Sequence, residues 1–176
     1  MNIRLATEED LDSIIDICLK TFPDSENQQI VELAKGLLSE EINPPIKSFV
    51  AEVDNKVVGY VSFSPILTNL EVSISGYILA PLGVLPDYQN KGVGSALINE
   101  GKNHFSKYGI DVLLVYGDPE YYGKFGFNDE DSQPFIPPYE LKYPFGWLGL
   151  SLTKKELKSH SINFKCPSPL MKPSLW

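Results

Sequence analysis

The stretch Leu82-Gly83-Val84-Leu85-Pro86-Asp87-Tyr88-Gln89-Asn90-Lys91-Gly92-Val93-Gly94 joins an apolar run to a helical pattern, and its reading decides the fold. Upstream, Gly76 to Leu85 reads as an apolar strand. Pro81 interrupts it and predicts locally distorted pairing, because proline has no N–H for the ladder. Downstream, Val93, Ala96, Leu97, Phe105 and Tyr108 predict a helix over Gly92 to Tyr108. The first N–H groups of a helix lack partners within it, and together with the positive end of the macrodipole they attract an anion. Glycines at 92 and 94 let a diphosphate approach without a side chain in the way, and Lys91 adds a point charge. Two other phosphate loops fail on the letters. A P-loop needs Gly-Lys followed by Ser or Thr, and the dinucleotide fingerprint needs a glycine where Leu97 stands.

Working outward, Asp111 to Tyr116 is a second apolar strand. Gly117-Asp118-Pro119 then turns the chain into a short helix reaching about Phe125, with Asp118 as its cap and Pro119 at its first position. Phe127 begins a further strand. Toward the N-terminus, Asn2 to Leu5 reads as a strand, and Thr7 with Asp10 as a variant capping box. Leu11, Ile14, Ile15, Cys18 and Leu19 form the stripe of a helix ending near Phe22. Glu26 to Ser39 is a second helix, with Ile30, Leu33, Ala34, Leu37 and Leu38 as its stripe. Ser48 to Val53 and Lys56 to Phe63 form a hairpin around Asp54-Asn55. Beyond Asn128, Pro134, Pro137, Pro138 and Pro144 punctuate an aromatic-rich stretch, and Trp147 to Leu152 and Ile162 to Lys165 are extended. This alternation implies a layered α/β domain occupying residues 1–176, with a core over 1–128 and an extension over 129–176.

Gln89-x-x-Gly92-x-Gly94 after the strand ending at Val84 resembles the Gln/Arg-x-x-Gly-x-Gly/Ala signature of the GNAT superfamily of N-acyltransferases. Tyr121-Tyr122-Gly123-Lys124-Phe125-Gly126-Phe127 is similar to that superfamily's second motif, Tyr-x-x-x-Gly-Phe. The resemblance covers roughly Asn2 to Asn128. Pro81 to Pro86 and Gly117-Asp118-Pro119 resemble a bacterial subgroup of predicted acetyltransferases. The resemblance implies a mixed central sheet flanked by helices and splayed between the strands near 76–85 and 111–116. Acetyl-coenzyme A would lie in that opening as cosubstrate. Leu82, Gly83 and Val84 would hold the pantetheine arm through backbone groups, and Gln89, Asn90, Lys91, Gly92, Val93 and Gly94 the pyrophosphate. One position departs from the family: Val115 stands where many members carry asparagine.

The reaction implied is attack of an unprotonated amine on the acyl thioester. It requires removal of a proton from the amine, a donor for the oxyanion and a proton for the thiolate. By the resemblance, the Val84 N–H is the oxyanion donor and Tyr122 serves the leaving sulfur. A phenol of ordinary pKa, about 10, is protonated at neutral pH. For the base, Glu71, Glu52 and a water relay all stay open. The alternative in a different class is a non-catalytic sensor that binds acyl-coenzyme A without turning it over. A structural domain with an empty loop ranks third.

Composition narrows the partners. A net charge of -8 argues against nucleic acid, which needs clustered cations. It is compatible with an amine-bearing acceptor, small molecule or protein. No run of twenty apolar residues exists and no signal-peptide pattern opens the chain, so the expectation is a cytoplasmic protein that does not enter membranes. The two cysteines, Cys18 and Cys166, and two histidines, His104 and His160, have no metal-ligand spacing. Phe135, Tyr139, Tyr143, Phe145 and Trp147 are candidates to cover the acceptor or close the C-terminal sheet, and the apolar C-terminal aromatics also offer a homodimer surface.

Overall fold

A computed structural model describes residues 1–68, 73–155 and 161–176. In chain order its elements are β1 (Asn2–Leu5), α1 (Leu11–Thr21), α2 (Asn27–Ser39), β2 (Lys47–Val53), β3 (Lys56–Pro65), β4 (Leu67–Thr68) and β5 (Gly76–Val84). There follow α3 (Val93–Lys107), β6 (Val112–Tyr116), α4 (Pro119–Tyr122), α5 (Asp129–Ser132), β7 (Phe135–Ile136), β8 (Trp147–Ser151) and β9 (Ile162–Lys165). One mixed sheet runs in the order β1-β2-β3-β5-β6-β8, and a small one in the order β4-β9-β7. No helix among the described residues is long and apolar enough to cross a membrane. The chain divides into two compact units, Met1–Phe63 with Ala80–Gly101 and Ser64–Leu79 with Lys102–Trp176.

In the first unit, the hairpin of β2 and β3 turns where the sequence predicts. Asp54 and Asn55 both take positive φ, 49° and 61°, the backbone that two-residue hairpin turns require. The Thr7 and Asp10 capping box forms as predicted, and an ion cluster is added to it. The Arg4 guanidinium donates to both Asp10 carboxylate oxygens at 2.7 and 2.8 Å, and Asp10 also accepts the Thr7 N–H at 2.8 Å. Arg4 thereby holds the Asp10 carboxyl below its ordinary range, against the opposing effect of burial.

The buried stripe of α1 differs from the predicted one. Ile14, Ile17 and Cys18 are buried, whereas Leu19 is exposed. The rotation has a partner in β5: Gly83 has no side chain, and a Cβ there would stand 2.8 Å from Ile17 Cγ2. Ile17 fills that gap, so the helix turns one position away from the face that periodicity alone selects.

In the second unit, the first half of β5 pairs in parallel with β6, Gly76–Leu79 against Val112–Val115. β6 pairs antiparallel with β8, ending at Tyr116 opposite Trp147. Phe127 does not begin a strand. Asn128 makes a single bridge to Gly149, and its side chain then caps α5 by accepting the Asp131 N–H at 2.9 Å. An asparagine followed by three acidic residues favours a helix start over strand continuation. Trp147, Phe164 and Trp176 pack together, and the Trp147 indole donates to the Phe135 carbonyl at 3.0 Å. Phe135 and Trp147 are therefore core residues and not acceptor contacts.

Asp111, just before β6, ties the second unit together. It accepts from the Ser75 N–H at 2.9 Å, the Thr153 hydroxyl at 2.9 Å and the Lys155 ammonium at 3.1 Å. Burial alone would raise its pKa, but these donors together carry it below the ordinary carboxylate range.

Candidate active site

The first unit carries the glycine loop. β5 is buried through its first four residues and then alternates: Ala80, Leu82 and Val84 are half-exposed, while Pro81 and Gly83 are buried. The strand thus offers one accessible row at its C-terminal end, and Gly83 belongs to the packed face. The Leu85 N–H donates to the Val58 carbonyl at 2.9 Å, fixing where the strand hands over to the loop.

A single 3-10 turn, Pro86–Tyr88, carries the chain to Gln89. The Gln89 side chain folds back and donates to the Val84 carbonyl at 2.9 Å, and that oxygen also accepts the Thr21 hydroxyl at 3.1 Å. Gln89 therefore straps the loop closed, a use of its amide that its place in the motif did not disclose. Asn90 and Gly92 take left-handed φ values of 57° and 82°. Asparagine tolerates that region and other L side chains do so at a cost, so the two residues suit their positions. A Cβ at Gly92 would meet nothing within 4 Å, so conformation and approach, not crowding, call for glycine. Helix α3 starts immediately after, and the Ala96 N–H reaches back to the Gly92 carbonyl at 2.9 Å. Val93 is buried, leaving only its backbone to the loop. Lys91 and Gly92 are exposed and Gly94 half-exposed.

Lysines at 91 and 56 lie 5.7 and 5.8 Å from the centroid of the Tyr88 ring. Lys56 stands at the start of β3, far from the loop in sequence, and nothing in the loop's letters announces it.

The second unit carries Tyr122. Asp118 caps α4 as predicted, accepting the Glu120 N–H at 2.9 Å. The Tyr122 ring packs against Gly117, where any Cβ would collide with ring carbons. Edge contacts to Tyr121 and Phe127 fix it further, with centroids 5.1 and 5.8 Å away. Lys102, in the second half of α3, donates to the Phe125 carbonyl at 2.6 Å and closes the turn that follows α4. Gly126, at φ 93°, ends that turn. Burial raises the Tyr122 phenol well above its ordinary value, with Tyr121 and Asp118 adding to the shift. The unperturbed phenol of the sequence reading is corrected accordingly. It is wholly protonated at neutral pH, and it is a weaker acid than a coenzyme thiol, whose class titrates near about 8.5.

The candidate bases fare differently. Glu71 lies outside the described residues. Glu52 accepts from Arg4 Nε at 3.0 Å, so its carboxylate is already engaged. Cys18 and Cys166 are free and buried, which pushes both thiols up to about 12 and leaves them unsuited to nucleophilic work. Val115 is buried among the strand pairs of β6.

Comparison with known proteins bears on the arrangement. A family model described as an acetyltransferase (GNAT) domain matches residues 44–129. The uncharacterized N-acetyltransferase YjhQ of Escherichia coli K12 is 31% identical over 142 residues, covering 78% of each chain. The crystal structure of the GNAT family N-acetyltransferase YhbS from Escherichia coli, in complex with CoA, superposes with a TM-score of 0.74. It is 23% identical, over 93% of this chain and 89% of that one. A GNAT family acetyltransferase from Brucella melitensis, in complex with acetyl-CoA, gives 0.63 at 25% identity, over 88% and 90%.

Proposed function

We propose that this chain, which belongs to the GNAT family of acetyltransferases, moves an acetyl group from acetyl-coenzyme A to an amine. The observation that carries the reading is the strapped loop: left-handed Gly92 at the head of a 15-residue helix, with Gln89 bound back to Val84. The free N–H groups of that helix end suit a diphosphate. The half-exposed row of Ala80, Leu82 and Val84 suits an extended, amide-bearing arm laid along the strand. The coenzymes named in the YhbS and Brucella melitensis structures support the same donor.

The bound coenzyme supplies an activated thioester. Leu82 holds the arm through its backbone groups, the Val84 carbonyl being taken by Gln89 and Thr21, and Asn90 to Gly94 hold the diphosphate in the loop that Gln89 closes. The acceptor nitrogen attacks the acetyl carbon as a free amine. A carbon–nitrogen bond forms and the carbon–sulfur bond breaks; the nitrogen loses one proton and the departing thiolate takes one from solvent. The Val84 N–H donates to the carbonyl oxygen as negative charge gathers there. Glu71 takes the amine's proton, directly or through water. Tyr122 serves the departing sulfur chiefly as a hydrogen-bond donor, since its raised pKa disfavours complete transfer to a thiolate. Of the C-terminal aromatic group, the exposed Tyr143 and Phe145 remain the candidates to cover the acceptor. The whole chain works as one domain, in the cytoplasm, on a small-molecule or protein amine.

Calorimetric titration of acetyl-coenzyme A into wild type and the Gly92→Glu/Gly94→Glu variant tests the donor site. Binding by wild type alone supports the reading, and no binding to the folded wild type overturns it. Release of coenzyme A that depends on an added amine separates the enzyme from a sensor.

A further inference from the structure

Beside the glycine loop, Tyr88 gathers charge in an unusual way. The ammonium groups of Lys56 and Lys91 both lie within 6 Å of its ring centroid. That is cation–π range, a weak contact at an exposed site. Both side chains are exposed. Among the described residues neither ammonium forms an ion pair with a carboxylate, although the chain carries 23 acidic residues against 15 basic ones. Both ammonium groups are thus held at one ring without an ion pair, where an anionic ligand can engage them.

The two lysines have different origins. Lys91 belongs to the loop itself, one residue before Gly92, and so serves whatever the helix end holds. Lys56 comes from the hairpin turn, held by the left-handed Asp54 and Asn55, and it reaches the same ring from a separate element. A ligand with two separated anionic groups can engage both cations. Coenzyme A carries two separated anionic groups, a diphosphate and a 3′-phosphomonoester on the ribose. The helix end and Lys91 account for the first.

We infer that Lys56, steered by the Tyr88 ring, binds the 3′-phosphate of coenzyme A and makes the protein discriminate coenzyme A from its 3′-dephospho form. The inference rests on the donor site proposed above. It adds a residue outside both sequence motifs and a specificity that neither motif predicts. A phosphomonoester carries close to two negative charges at neutral pH, so its pairing with an exposed ammonium is sensitive to salt.

The test is calorimetric titration of coenzyme A and 3′-dephospho-coenzyme A into full-length wild type, Lys56→Gln and, as a charge control, Lys35→Gln on α2. Wild type is expected to bind coenzyme A about two- to fivefold more tightly than the dephospho form, the worth of one exposed charge pair. Lys56→Gln should remove most of that preference by weakening coenzyme A alone, and Lys35→Gln should preserve it. Equal binding of the two ligands by wild type overturns the inference while leaving the donor site intact. So does a Lys56→Gln variant that weakens both ligands alike, because the lysine would then act on the diphosphate or at long range. Failure of wild type to bind either ligand removes the donor site itself, and this inference with it. Lys56 is exposed, so an unchanged melting temperature should accompany the variant and confirm that it folds.

Discussion

The loop after β5 and the turn around α4 do their work with different materials. The loop is made of backbone: left-handed residues, a glutamine strap and the unpaired N–H groups at the head of α3. The α4 region is made of a side chain, the Tyr122 ring, gripped by Gly117, Tyr121 and Phe127. A backbone site is decided by which residues permit its φ and ψ, and it is damaged chiefly where glycine is lost. A side-chain site is decided by packing and can be damaged from any neighbour. The two regions should therefore fail in different ways.

The largest effect is expected at the loop. Gly92→Glu/Gly94→Glu places two carboxylates where an anion must sit and forces one of them into φ 82°, so acetyl-coenzyme A affinity should fall by at least about 100-fold. Circular dichroism should show the fold retained. Tyr122→Phe should invert that pattern. Turnover should fall by about 100-fold, the lower end for loss of one positioned hydrogen-bond donor, with coenzyme affinity within about twofold of wild type. If the phenylalanine variant turns over normally, the side-chain site has no chemical part and the contrast collapses.

Gly117→Ala sharpens the packing half of the comparison. Its methyl group must displace the Tyr122 ring, so unfolding stability should drop by about 1–3 kcal/mol, and turnover should drop with it. Denaturant titration and kinetics on one preparation would show whether the two losses travel together. The smallest effect concerns neither site. Asp111→Asn should cost about 1–2 kcal/mol near neutral pH by weakening the contacts to Ser75, Thr153 and Lys155. The folded state holds the Asp111 carboxyl below its ordinary range. Its contribution is thus present above the unfolded pKa and lost as pH falls through the folded one. Wild type and variant should converge in stability at acid pH, and parallel curves there would contradict the assignment.

The same contrast explains what the sequence disclosed. Glycine spacing reports backbone conformation directly, so the loop and the start of α3 were legible, and paired Asp and Asn did the same for the turn at Asp54-Asn55. Asp118 and Pro119 were legible for the same reason, since caps and fixed φ values are local. Tyr122 could be assigned a role only through resemblance to a family, because nothing in a run of aromatics says which ring a glycine will accommodate. What escaped depended on distant partners. Ile17 displaced Leu19 from the buried stripe because Gly83 lies 66 residues away on β5. The strand predicted at Phe127 gave way to a capped helix once Asn128 had Gly149 to bridge. Lys56 reached Tyr88 only through the hairpin, and Lys102 reached the Phe125 carbonyl only through the fold of the second unit.

The Gln89 strap has a consequence for how this loop can change over generations. With its path set by one amide-to-carbonyl bond and one left-handed glycine, the exposed side chains at Pro86, Asp87 and Lys91 are not needed to shape it. Those positions can drift, or be randomised in a library, without dismantling the turn. A cationic contact such as that of Lys91 could then be gained, lost or moved to a neighbouring element while the scaffold beneath it stayed the same.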